Sequence, residues 1–172
     1  MASAMVLSLA ACGGSKDTAS TTDSSAASSA EASGSDTFKI GATGPITGGA
    51  AIYGNAVKNG IQIAVDEINE AGGINGYQID YNFQDDEHDA EKAVNAYNNL
   101  KDWGMQVLIG TTTSAPCIAV VEKTHADNMF QITPSGTAVE CVQYDNAYRM
   151  CFSDPTQGTE SAKYIGENGM AQ

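Results

Sequence analysis

From Phe38 onward the apolar positions of the chain switch repeatedly between a period of two and a period near 3.6. Phe38-Lys39-Ile40-Gly41-Ala42-Thr43 is short, largely apolar and followed by glycine, so it predicts a strand. Over Gly54–Ala71, Val57, Ile61, Ala64, Val65 and Ile68 fall on one face at helical spacing, and Gly72-Gly73 supplies the stop. Asn75-Gly76 predicts a turn, and Tyr77–Gln84 alternates as a second strand. Asp89 is placed to cap a helix running through Leu100, with Ala93, Val94, Tyr97 and Leu100 inward. Trp103-Gly104 leads into a third strand that ends at Gly110. A helix after Pro116 follows, using Ile118, Val121 and His125, and then a strand at Met129–Ile132. A fifth strand is expected at Tyr148–Phe152, a break at Asp154-Pro155, and a last helix at Gly158–Asn168.

Strands alternating with helices predict the α/β class: an open parallel sheet with helices on both faces and right-handed crossovers. If the second strand returns outside the first and the third lies on its other side, the order is 2-1-3-4-5. Ligands of such sheets bind off the carboxyl ends of the strands, where the order reverses. Three of those ends carry small polar loops. The third strand, Val107-Leu108-Ile109, runs into Gly110-Thr111-Thr112-Thr113-Ser114-Ala115-Pro116. Pro116 suits the first turn of a helix, so Ser114 or Ala115 is expected as its N-cap, with free N–H groups aimed at the hydroxyls. That arrangement attracts a carboxylate or a phosphate. Ser114 capping only its own helix is the competing reading. However, the fourth strand ends in Thr133-Pro134-Ser135-Gly136-Thr137 and the first in the Gly-rich Gly44–Tyr53, which together outline one crevice.

Composition narrows the partners. The 172 residues carry a formal charge of −13, with 7% aromatics. Such a surface repels nucleic-acid phosphates and anionic membranes. The first 36 residues stand apart from the globular pattern. Ala4–Ala11 is a short apolar run ending Leu9-Ala10-Ala11-Cys12-Gly13-Gly14, too short to span a bilayer. Small residues before a cysteine resemble the lipobox of bacterial lipoproteins, which makes residues 1–12 a signal peptide with Cys12 the lipidated residue. No Lys or Arg precedes the run, which points to a start further upstream. Residues 13–36 are rich in Ser, Ala, Thr and Gly and predict a disordered tether, reaching about 25–30 Å as a flexible coil.

Several motifs taken in order also resemble one family. Gly41-Ala42-Thr43-Gly44-Pro45, Tyr53-Gly54, Gly72-Gly73-Ile74-Asn75-Gly76, Asp85-Asp86, Val107–Ser114, Ile132-Thr133-Pro134-Ser135 and Asp154–Gly158 are similar to the N-terminal lobe of type I periplasmic binding proteins. The nearest group is the branched-chain amino acid substrate-binding subunits of ABC transporters. The resemblance runs from about Phe38 to the end. It implies a two-lobed protein that encloses an amino acid, hands it to a membrane permease and catalyses nothing, with no cofactor. By that resemblance, residues 37–157 form the N-terminal lobe and 158–172 begin a truncated second lobe. Ser114 then matches a hydroxyl that holds the ligand carboxylate, and Thr137 a residue contacting both carboxylate and ammonium. Ser135 matches a backbone carbonyl that accepts from the ammonium, and Tyr53 an aromatic edge of the side-chain pocket. Thr112 and Thr113 line the same loop. Chemically this is reasonable: a zwitterion needs donors at one end and acceptors at the other, and hydroxyls supply either.

Other chemistry has less support. Asp85-Asp86-Glu87-His88-Asp89 contains metal-ligand types, but acidic residues at a strand-to-helix turn also suit the helix start. The Gly44–Gly54 loop lacks both G-x-G-x-x-G spacing and a P-loop lysine. His88 and His125 have no evident nucleophile beside them. A ligand-sensing receptor domain, or an enzyme on a similar lobe, remains the alternative class. With Cys12 lipidated, three cysteines are left; Cys141–Cys151 is the expected disulfide and Cys117 a buried packing residue.

Overall fold

The computed structural model describes residues 37–169. The lipobox with Cys12 and the expected tether lie outside them. Five parallel strands form one sheet in the order β2-β1-β3-β4-β5: β1 (Thr37–Gly44), β2 (Gln78–Asp85), β3 (Val107–Ile109), β4 (Gln131–Thr133) and β5 (Ala147–Arg149). The helices are α1 (Ala51–Glu70), α2 (Ala90–Trp103), α3 (Ser114–Ala126) and α4 (Asp154–Glu167), with a short 3-10 turn at Val139–Val142. The expected order is therefore found. The switch between β1 and β3 brings the loops after both strands together.

Local chemistry explains the boundaries. The Asp89 side chain accepts the Lys92 N–H at 2.8 Å and caps α2, and Gly104 closes it in the left-handed region at φ 92°. β4 and β5 sit at Gln131–Thr133 and Ala147–Arg149 rather than at Met129–Ile132 and Tyr148–Phe152, and three further boundaries differ at the helix starts. α1 begins at Ala51, with no side-chain cap on its first turn, so Tyr53 sits in the helix rather than at the end of a loop. α3 begins at Ser114 with Thr113 as its N-cap, one residue earlier than predicted. Asp154-Pro155 does not interrupt the pattern but opens α4: Ser153 caps it by accepting the Thr156 N–H, and proline is tolerated in that first turn.

The core lies between the sheet and the α2–α3 layer. Ala93, Tyr97 and Leu100 of α2, Met105, Leu108 of β3 and Val120 of α3 form one buried cluster, with Val94, Trp103 and Met129 packed against it. The inward face of α3 is Cys117, Val120, Val121 and Thr124; Ile118 is only half-buried and His125 is exposed, stacked on Tyr144 at 4.1 Å. Periodicity misjudged this face because Cys117 and Thr124 are small and weakly apolar. α1 turns Gly54 and Val65 to the sheet, with Val57, Ile61 and Ile68 half-buried and Ala64 exposed.

The amino end of the sheet has its own fasteners. Lys39 Nζ donates to the Trp103 carbonyl at 2.9 Å and lies 4.9 Å from the centre of that indole, while its backbone N–H donates to Gln106 Oε1. The far corner of the α2–α3 layer is held by Asp127, which accepts from Tyr97 Oη at 2.7 Å and from Lys101 Nζ at 2.5 Å.

Candidate functional site

The three hydroxyl loops meet at the carboxyl end of the sheet. Two glycines make the approach possible. A Cβ on Gly44 would lie 2.2 Å from Thr112 Oγ1, and one on Gly54 would lie 1.8 Å from the Pro45 carbonyl oxygen. The first lets the β1 loop touch the β3 loop; the second seats α1 against the β1 loop. Asp85 then fixes the β1 loop from the neighbouring strand. Its Oδ1 accepts the N–H groups of Ile46 and Glu87, both at 2.9 Å, and its Oδ2 accepts the Thr47 hydroxyl at 2.6 Å. Burial pushes this carboxyl up, but the Thr47 hydroxyl and the backbone donors outweigh it and hold it below the usual carboxylate range.

Ser114, first residue of α3, is the pivot. Its Oγ accepts the N–H of Thr137 at 3.1 Å and of Ala138 at 3.3 Å, which hangs the β4 loop from the helix end. With its oxygen accepting twice, its own proton is left to donate outward. Helix geometry leaves the N–H groups of Ser114 and Ala115 without intrahelical partners, and Pro116 has none to offer. Half-buried Thr113 turns its hydroxyl to His88 Nδ1 at 2.8 Å. Ser135 Oγ donates to the Thr112 carbonyl, so the two loops are tied a second time.

The residues singled out from sequence are thus mostly gathered, with one change of role. Thr112 is fully buried, and its hydroxyl donates to the Thr43 carbonyl at 3.2 Å. It faces into the sheet and supports the loop rather than lining it with a hydroxyl. Ser114, Ser135 and Thr137 are half-exposed on one surface, and Tyr53 is 60% exposed on the first turn of α1.

Cys141 and Cys151 are not bridged; both are free thiols. Cys141 is buried against α3, its Sγ 3.8 Å from the Ser114 carbonyl, whereas Cys151 Sγ turns to the Gly136 carbonyl. Cys117 is the thiol beside Cys141: their mutual hydrogen bond, helped by burial, pushes Cys117 up, and the same bond pulls Cys141 down. The two thiols turn to different carbonyls, Cys141 to Ser114 and Cys151 to Gly136. Spacing along the chain alone hides that separation.

Two contributors, Arg149 and Gln131, were missed from sequence, and a third, Asp86, was read only as part of the acidic turn. Arg149 of β5 donates through Nη1 to the carbonyls of Thr137 at 2.8 Å and Ala138 at 3.0 Å, clamping the loop that holds Thr137. Gln131 is fully buried, accepting from Thr124 and donating to the Gly110 carbonyl, which steadies the start of the hydroxyl loop. Asp86 is also fully buried: Oδ1 accepts the His88 N–H at 3.0 Å while Oδ2 has no partner, and burial raises the carboxyl to about 6. No periodic signal marks any of them: Arg149 and Gln131 act on loops brought close by the sheet, and Asp86 acts within its own turn through a backbone N–H.

The assembled surface is one open wall. A groove of 580 Å³ runs along α4 beside Phe152 and Tyr164, and one of 750 Å³ lies at the opposite end of the sheet beside Lys39 and Gln106; neither includes the hydroxyl loops. A wall of donors and hydroxyls can hold a small anion or zwitterion against a second surface.

Comparisons with known proteins agree with that architecture. The sequence profile described as periplasmic binding protein matches residues 37–171. The Leu/Ile/Val-binding protein BraC3 of Rhizobium johnstonii is 36% identical over 75% of this chain and 36% of its own length. The leucine-, isoleucine-, valine-, threonine- and alanine-binding protein of Pseudomonas aeruginosa is 34% identical over 77% of the chain and 36% of its own length. Among solved structures, the branched-chain amino acid transporter substrate-binding protein LivJ from Streptococcus pneumoniae, in complex with isoleucine, superposes with a TM-score of 0.72 at 33% identity, over 77% of this chain and 38% of its own. The chain thus spans a little over a third of the length of these relatives. With strand order and profile in agreement, the chain belongs to the periplasmic binding protein family.

Proposed function

We propose that this chain supplies one wall of the ligand cleft of an extracytoplasmic solute-binding protein, which delivers a small amino acid to an ABC permease. The ligand class is branched-chain or similarly small, aliphatic or polar. The observation that carries the reading is Ser114. Its hydroxyl accepts two N–H groups from the β4 loop and so keeps a proton for a ligand carboxylate, at a helix end with two further free donors. The relatives' names and the isoleucine-bound neighbour support the same ligand class. Ser114 and Thr137 would meet the carboxylate, the Ser135 carbonyl the ammonium, and Tyr53 the side chain, while Thr113 completes the loop. Nothing in this arrangement calls for bond-breaking chemistry: the site binds and releases.

The magnitudes fit a two-walled site. Burying a branched aliphatic side chain contributes roughly 1.5–3 kcal/mol. A helix end adds about 0.3–1 kcal/mol when exposed, up to about 2 when partly buried. Micromolar binding requires about −8 kcal/mol, so several charge-assisted bonds shielded from water must supply the remainder. Titration calorimetry of Leu, Ile, Val, Ala and Thr into the protein expressed from its full reading frame tests this. At least one should bind in the micromolar range; no saturable heat with any of them overturns the assignment.

Delivery to a permease requires the protein to stay near the membrane, and Cys12 in its Leu-Ala-Ala-Cys setting is the residue proposed to carry a lipid. Cys12→Ala is then expected to move the protein from the membrane fraction to the soluble one.

A further inference from the structure

We infer that His88 is a positioning residue of the ligand site, which acts through Thr113 and couples amino-acid binding to the uptake of a proton. This rests on the amino-acid reading above and adds its regulation.

The geometry is a bridge between two loops that are otherwise 25 residues apart. His88 Nδ1 lies 2.8 Å from Thr113 Oγ1, and Thr113 is the N-cap of the helix that Ser114 begins. The imidazole is therefore one hydroxyl away from the end of α3. It is held there by an unusual turn. Glu87 and His88 are consecutive non-glycine residues in the left-handed region, at φ 50° and 61°, and such conformations persist only where the surroundings enforce them. Here the enforcement is visible: Asp85 Oδ1 accepts the Glu87 N–H, Asp86 Oδ1 accepts the His88 N–H, and the Asp89 N–H closes the turn on the Asp86 carbonyl at 2.8 Å. Glu87 is pinned further by Lys92 at 2.6 Å.

The protonation state and tautomer of the ring together decide what Thr113 can do. An imidazolium can only donate, so Thr113 Oγ1 must accept and its own O–H is freed for a ligand. When Nδ1 is unprotonated, the Thr113 hydroxyl donates to it and is lost to the ligand. Charge acts in the same direction. A cation beside a helix N-terminus is disfavoured while the site is empty, and favoured once a carboxylate sits on that helix end. Ligand binding therefore raises the proton affinity of His88, and by linkage protonation tightens the ligand. The charged groups around the ring are Asp85, Asp86, Glu87 and Asp89, with Lys92 paired to Glu87; the facing segment Thr111–Pro116 bears none.

The test is calorimetry of leucine, or the tightest amino acid of the panel, into the full-reading-frame protein between pH 5.5 and 8 in buffers of differing ionisation enthalpy. The wild type is expected to bind about five- to tenfold more tightly at pH 5.5 than at pH 8, as a charge-assisted bond replaces a neutral one, with net proton uptake on binding. His88→Gln keeps a side-chain donor but cannot titrate, so it should lose most of the pH dependence of binding and most of the proton uptake. Equal proton uptake in wild type and His88→Gln overturns the inference. Nitrogen-detected NMR of the ligand-free protein provides an arm independent of any amino acid. The His88 tautomer and titration midpoint should move in Thr113→Val; identical spectra overturn the bridge even where amino acids bind, and a shift alongside a silent amino-acid panel faults the ligand assignment instead.

Discussion

The Ser114 hydroxyl accepts the backbone N–H of Thr137 at 3.1 Å, so the first residue of α3 and the loop after β4 hold each other in place. Ser114→Ala removes that acceptor, leaves the N–H groups of Thr137 and Ala138 unpaired, and deletes the outward proton. Half-buried groups left without partners cost about 1–3 kcal/mol each. Amino-acid affinity of the full-reading-frame protein is expected to fall at least tenfold in Ser114→Ala and about tenfold in Thr137→Ala, read by calorimetry. Unchanged isotherms for both would remove this site.

Asp86 makes a prediction about stability rather than binding. Burial raises its carboxyl to about 6 in the folded state, against roughly 4 in an unfolded chain. The native state thus holds this proton more tightly, and its contribution is fully present below pH ~4 and lost as pH rises to about 6. The loss is on the order of 2–3 kcal/mol. Asp86→Asn keeps an acceptor for the His88 N–H and cannot ionise. Its stability relative to wild type should therefore grow as pH climbs from 4 to 6.5, and thermal melts across that range check the sign. A difference that shrinks with rising pH would show that the buried carboxylate is better solvated than its unpartnered oxygen implies.

The cysteines should separate by reactivity. Cys117 and Cys141 are fully buried and Cys151 is half-exposed. Under native conditions a maleimide is expected to modify Cys151 well before the other two, which become accessible only on unfolding. Peptide mapping with mass spectrometry reads the order directly. A Cys141–Cys151 cross-linked peptide from protein kept oxidised would reinstate the bridge that the structure lacks.

The final prediction concerns residues 37–172 produced alone. Phe130 and Tyr148 stack at 5.3 Å on an exposed part of the sheet, and Met150 and Phe152 beyond β5 are 74% and 55% exposed. β5 is the sheet edge, and no residue of α4 is buried. Unpaired edges and apolar patches of this kind promote self-association. A single wall also leaves the polar contacts in water, where they are weak. The segment should self-associate in sedimentation experiments and bind amino acids no better than about millimolar, near −4 kcal/mol. Clean micromolar binding by a monomer would mean that one lobe is enough.

Much of this organisation was legible in the sequence. The parallel α/β class followed from the alternation of strand and helix patterns, with 2-1-3-4-5 as a conditional order that the sheet adopts, and the three strand ends carrying Gly, Ser and Thr do meet, as an open wall rather than a crevice. The start of α1 was not legible because Gly48-Gly49-Ala50 offers no capping side chain. The start of α4 was hidden because Asp154-Pro155 signals a break and a first turn equally well. The inward face of α3 escaped because Cys117 and Thr124 do not register as hydrophobic, although both are fully buried. Thr112 was counted among the outward hydroxyls because a run of threonines gives no sign of which one turns inward. His88 and Arg149 were silent for a different reason. Their partners are loop atoms brought close only by the completed sheet.

The Lys39–Trp103–Gln106 fastening lies at the opposite end of the sheet from every loop that carries a proposed ligand contact. Parallel strands impose this separation: every crossover must bring the chain back before the next strand begins. Mutation therefore meets two nearly independent territories. On the proposed assignment, changes near Ser114 or Thr137 would retune what is bound while the anchoring end keeps the fold within tolerance, so that a descendant could change its solute without first learning to fold again.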